Sequence, residues 1–146
     1  MNPHKTSRRT FLRSLPGVAA SLALAARPLR AAGRRHEFAS DHPEPRPGID
    51  ASGVLSADEL KADDVPGETI ALYDAVREMP EVADGLACYC GCMLVGNRSL
   101  LTCYGETGMA RSCMICQGEA RLAHRRWKEG QSLDQIRRAI DARFAR

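Results

Sequence analysis

Apolar positions in the C-terminal half of the chain recur at helical intervals. Ile70, Leu72, Tyr73, Val76 and Met79 return every three or four residues, which predicts an amphipathic helix starting near Glu68. Pro80 breaks that stripe and opens a short helical turn over PEVADGL, which Gly85 ends. A second stripe, Cys113, Cys116, Ala120, Ala123 and Trp127, predicts a helix stopped by Gly130. Ser132 and Gln135 then form an SxxQ capping box, and Leu133, Ile136, Ile140 and Phe144 line the inner face of a last helix. Between these helical groups Gly96, Asn97, Gly105 and Gly108 mark a loop. The expected fold is all-α, a small domain over residues 68–146 with about three helices and a cysteine-rich loop.

The N-terminal half reads differently. Residues 27–67 are rich in Pro, Gly, Ala and charge, with Pro43, Pro45 and Pro47 in RRHEFASDHPEPRPGID. Such a stretch has too little apolar area to order itself and is expected as a flexible linker. One short helix at SADELKADD, capped by Ser56, is the exception. His36 and His42 fall in this segment and read as solvent-exposed linker residues, since flexible chain supplies poor ligands.

Ahead of the linker, Leu15–Ala26 is an apolar run of 12 residues, short of the roughly 20 a membrane-spanning helix needs. Ser7, Arg8, Arg9, Thr10, Phe11 and Leu12 match the twin-arginine export pattern, with Arg13 in its last basic position. Ala23, Leu24 and Ala25 supply an AxA-like cleavage site. Residues 1–26 are therefore expected to be a removable twin-arginine signal peptide, with an uncleaved anchor as the alternative. The expected location is periplasmic or otherwise extracytoplasmic, with no stable membrane insertion once the signal is gone. That route carries folded proteins, and a common reason to fold first is to receive a metal or cofactor where thiols stay reduced.

Charge adds one exclusion. The formal net charge is +3, and the signal holds Lys5, Arg8, Arg9 and Arg13, so without them the balance is −1. This is not the charge of a nucleic-acid binder. The arginines of the two C-terminal helices read as a solvated face.

All the candidate chemistry lies in sulfur. The chain has six cysteines, Cys88, Cys90, Cys92, Cys103, Cys113 and Cys116, in the pattern CxCxC, C, CxxC, and all fall within 29 residues. On an extended chain, alternate residues stand about 6.6 Å apart, at the far edge of disulfide reach, so CxCxC suits a chelating clasp better than internal pairing. The CxxC opens a predicted helix, whose free N–H groups favour thiolate over thiol. Thiolate both binds metal and attacks disulfides. His124, 11 residues after Cys113, would stand about 16 Å along the helix axis and too far for one mononuclear site. Met93, Met109 and Met114 flank the cysteines and offer thioether sulfur to copper(I).

CYCGC, followed by SLLTCY, SCMICQGEA and GQSLDQIRRAIDARF, resembles the PCYCGC-motif family of small exported bacterial proteins and lipoproteins, over roughly residues 68–146. Ala87 replaces the family's proline, and a twin-arginine signal replaces the lipobox. The resemblance implies an exported thiol-rich domain without an established reaction. CMICQ with GQSLDQIRRAIDARF is also similar to the thiol-reductase subunit of cytochrome c maturation, which would imply that Cys113 and Cys116 exchange disulfides with a partner protein.

Three readings follow. The first is a metal-binding protein that holds or delivers zinc or copper(I), or an iron–sulfur cluster, with the six cysteines as a thiolate cage; six thiolates exceed the four of a mononuclear zinc, so either two stay free or paired or the site holds more than one copper ion. Its partners would be the ion and an exported metal- or thiol-accepting protein. The second is a disulfide-stabilised scaffold. The third is a thiol–disulfide oxidoreductase using Cys113 and Cys116. No hydrolase or phosphate-transfer site can be assembled, for the chain has no nucleophile beside a base, no phosphate loop and no HExxH.

Overall fold

The computed structural model describes residues 41–145. The twin-arginine segment, residues 1–26, and the first part of the expected linker, with His36, lie outside the described residues. Within them the protein is helical and has no strand.

Five α-helices follow one another: α1 (Ala57–Ala62), α2 (Gly67–Glu78), α3 (Pro80–Asp84), α4 (Met114–Lys128) and α5 (Leu133–Phe144). Two 3₁₀ turns, Cys92–Val95 and Leu101–Tyr104, interrupt the segment expected as loop. Several helix ends are set by local signals. Ser56 and Glu59 close a reciprocal capping box on α1, and Ser132 and Gln135 do the same on α5. Proline occupies the first position of α3, where a missing N–H costs nothing. Gly130, with φ of +75°, ends α4 in the left-handed conformation, where its own N–H donates to the Trp127 carbonyl at 2.9 Å and the Gln131 N–H to the Arg126 carbonyl at 3.1 Å.

The helices bury the stripes read from the sequence. Tyr73 and Val76 of α2, Cys116, Ala120 and Ala123 of α4, and Ile136 and Ile140 of α5 are all fully buried. Helix α4 lies at the centre, packed on α2 on one side and α5 on the other. Tyr73 and Tyr104 meet edge to face with ring centroids 4.6 Å apart, and the Tyr104 hydroxyl donates to the Cys116 carbonyl at 3.1 Å. The small residues on α4 allow this closeness: a Cβ on Gly118 would stand 3.2 Å from the Phe144 ring. No helix of the described residues is long and apolar enough to cross a membrane.

Residues 41–67 differ from the expected linker. Val54, Leu55 and Leu60 are buried in the common core, and burying Leu60 alone is worth about 2 kcal/mol. Pro45 packs where a Cβ on Gly85 would fall, and the Arg137 guanidinium donates to the Pro43 carbonyl at 2.7 Å. His42 is not a solvent-exposed linker residue either. Its Nδ1 accepts the Ala87 N–H at 2.9 Å, so Nε2 is the ring's donor, and it faces Asp141 Oδ1 at 2.8 Å. The prolines stiffen this segment without freeing it, because its few apolar side chains find a surface prepared by α2, α3 and α5.

Candidate metal centre

The three alternate cysteines do not lie on extended chain. Residues 89–91 form a turn, and Gly91 between Cys90 and Cys92 has φ of +87°, a conformation glycine adopts without a Cβ penalty. The reversal brings Cys88 Sγ to 3.2 Å from Cys90 Sγ. Cys92 then opens the first 3₁₀ turn, with its N–H on Cys90 Sγ at 3.4 Å. The same turn aims the Cys88 N–H at Met93 Sδ, 3.3 Å away.

Cys103 comes from the second 3₁₀ turn and stands 2.8 Å from Cys92, sulfur to sulfur. The chain after it closes tightly over that residue: a Cβ on Gly108 would fall 2.0 Å from the Cys103 carbonyl oxygen, and the Ala110 N–H donates to the same oxygen at 3.1 Å. Helix α4 delivers the last pair. Cys113 is its N-cap, accepting the Cys116 N–H at 3.5 Å, and Cys116 points inward to stand 3.5 Å from both Cys88 and Cys90.

Three separate segments thus bring all six sulfurs into one contiguous cluster, and none is joined in a disulfide. Cys88, Cys90, Cys92 and Cys103 lie within 4.8 Å of one another, as do Cys90, Cys113 and Cys116. Thiolates bound to zinc at about 2.3 Å stand roughly 3.8 Å apart at the corners of a tetrahedron, so contacts of 3.2 and 3.5 Å need little adjustment, while the 2.8 Å between Cys92 and Cys103 must open by about 1 Å. Soft donors at this spacing can hold a metal ion.

The crowding polarises the sulfurs. Hydrogen bonding from the Cys103 thiol, and then from Cys116 and Cys88, holds Cys90 well below the usual thiol range. Cys103 moves the opposite way, pushed up by its hydrogen bonds to Cys116, Cys88 and Cys90 and by burial. Burial raises Cys92 as well.

One residue of the centre was not singled out in the sequence. Glu119 is fully buried, and its Oε1 accepts the Tyr89 N–H at 2.8 Å, while Oε2 has no hydrogen-bond partner. Burial pushes its carboxyl up to about 7, against the Cys88 thiol and the Tyr89 N–H, with the charge on Cys90 acting in the same direction as burial. Its signal was positional: it lies three residues after Cys116, on the face that α4 buries. His124, by contrast, sits away from the sulfurs, with Nε2 on Glu78 at 3.0 Å.

Around the sulfurs the surface is apolar. Leu94, Val95, Met109, Met114 and Ile115 are the exposed large hydrophobic residues among those described, and Cys90 and Cys92 border a groove of about 440 Å³ with several of them. Comparisons with models of protein families, with curated proteins and with solved structures found no match for this chain.

Proposed function

We propose that this is an exported protein that holds or delivers a soft metal ion, zinc or copper(I), through the thiolates of Cys88, Cys90, Cys92, Cys103, Cys113 and Cys116. The observation that carries the reading is the convergence of six free sulfurs from three chain segments, at spacings close to those of a metal–thiolate shell. Export rests on the Ser7–Leu12 pattern and the apolar run behind it, and membership of the PCYCGC-motif proteins is proposed on the same cysteine spacing. A thiol–disulfide oxidoreductase is less well supported, because its CxxC would act as a separate pair, whereas Cys116 is fully buried against Cys88 and Cys90. The acceptor of a delivered ion would be another exported protein with thiol or thioether ligands.

Native and denaturing mass spectrometry of the protein purified from its export compartment tests this. The expected native mass exceeds the denatured one by zinc or copper, with every cysteine reduced; iron and sulfide would name a cluster instead. A metal-free mass lower by about six protons, meaning three disulfides, would overturn the metal reading.

A further inference from the structure

The six sulfurs fall into two overlapping sets of unlike character. Cys88, Cys92 and Cys103, which complete the first set with Cys90, are at most 1 % exposed. In the second set Cys116 is buried, but Cys90 and Cys113 are both half-exposed. Cys90 is the member common to both.

A single four-sulfur ion would account for the first set and leave Cys113 and Cys116 without a task, although Cys116 stands 3.5 Å from Cys90. A thiolate has lone pairs enough to bind two metals, and Cys90 has the position for it: 3.2 Å from Cys88 on one side and 3.5 Å from Cys116 on the other. We infer that, resting on the soft-metal reading above, the centre holds two ions that share the Cys90 sulfur. The inner ion takes Cys88, Cys90, Cys92 and Cys103; the outer takes Cys90, Cys113 and Cys116.

The two sites differ as structural and exchangeable sites differ. Four protein sulfurs close the inner coordination shell, as in structural zinc sites, while three leave the outer ion a position for an incoming ligand. The inner set is also locked by backbone, since the loop carrying Gly108 is packed directly on Cys103. The outer set depends on Cys113, a half-exposed N-cap at the start of α4. The outer ion is therefore the one that leaves and enters, and the inner ion holds the loops that form its socket.

The test uses the reduced, metal-free full chain, titrated with zinc and followed by native mass spectrometry, and with cadmium followed by cadmium NMR. The expected result is two ions per chain, two cadmium signals split by each other through the shared sulfur, and loss of one ion before the other under a weak chelator. Cys113→Ser should keep one ion and the helical circular dichroism, and Cys90→Ser should weaken both sites. Saturation at one ion in the wild-type chain, or two signals with no mutual splitting, would overturn the shared centre while leaving a metal protein. Binding of no ion at all would overturn both this inference and the function it rests on.

Discussion

The Ser99 hydroxyl donates to Asp84 Oδ1 at 3.0 Å, and this bond joins the two stems from which Cys88 and Cys103 are each reached four residues later. Asp84 is fully buried and also accepts from the Arg46 backbone and guanidinium and from Arg98, at 2.8 to 3.1 Å. Next to it the Leu100 N–H reaches the Leu86 carbonyl at 2.8 Å. One carboxylate thus fixes the separation of the stems of the cysteine loop.

That role sets a pH dependence. Burial pushes the Asp84 carboxyl up, but the Arg46 side chain and backbone, followed by Ser99, pull it down further, and the net shift is downward. The unfolded-state value is about 3.9, so the stabilisation is whole above that pH and disappears as pH falls through the lower folded-state value. Asp84→Ala should cost about 2–3 kcal/mol at neutral pH, since it strands the buried Ser99 hydroxyl and leaves a cavity, while the more exposed Arg46 and Arg98 can turn to water. The difference in urea midpoint between wild type and variant should shrink as pH falls below 4 or so; a difference independent of pH would refute the assignment.

Gly108→Ala should be destabilising by about 1–3 kcal/mol or more, because the new methyl overlaps backbone rather than a movable side chain. Thermal unfolding of the metal-free protein reads this directly. The same variant should bind metal more weakly, as the obstructed atoms belong to Cys103.

Glu119→Gln retains an acceptor for the Tyr89 N–H, whereas Glu119→Ala leaves that N–H unpartnered beside a new cavity. The alanine variant should lose about 2–4 kcal/mol and bind metal about 10- to 100-fold more weakly. The glutamine variant should stay near wild type in urea denaturation. Equal losses in both would show that the charge, not the hydrogen bond, matters.

Removing metal with a chelator under reducing conditions should lower the unfolding temperature and expose the thiols to alkylation in a fixed order. Cys90 and Cys113, half-exposed, should react before Cys88, Cys92, Cys103 and Cys116. Peptide mapping after brief iodoacetamide treatment checks the order, and simultaneous labelling of all six would mean that the cluster loosens without its ion.

Leu60→Ala should cost about 2–5 kcal/mol, although the residue lies in a segment that composition marks as linker. Limited proteolysis should likewise leave the chain intact from about His42 onward. Cleavage within residues 42–67 of the folded protein would restore the linker description.

The helices were legible because each carries two independent signals. The α5 stripe of Ile136 and Ile140 agrees with the Ser132–Gln135 box, and the α4 stripe of Cys116, Ala120 and Ala123 agrees with its Gly130 stop. Sequence position also marked the six cysteines as one group. The route by which CxCxC converges was not legible: its spacing was read on an extended chain, while the actual device is a glycine turn, which a period-two pattern does not reveal. His42 and Glu119 escaped for a related reason. Their partners, Asp141 with Ala87 and Tyr89 with the cysteine cluster, are distant in sequence, and only the assembled helices bring them near. Local composition likewise hid Leu60, because a single buried leucine does not alter the texture of a proline-rich stretch.

The bond between His42 and Asp141 also fixes an order of events in biosynthesis. It spans 99 positions, and the parallel contact from Arg137 to Pro43 spans 94. Neither can form on the ribosome until α5 has emerged. The contact of the same His42 imidazole with Ala87, one residue before the first cysteine, spans only 45 positions and needs no part of α5, so His42 can seat on Ala87 first and is held from its other nitrogen once α5 docks. The stem of the first cysteine is thus braced in two steps, the second of which waits for Asp141.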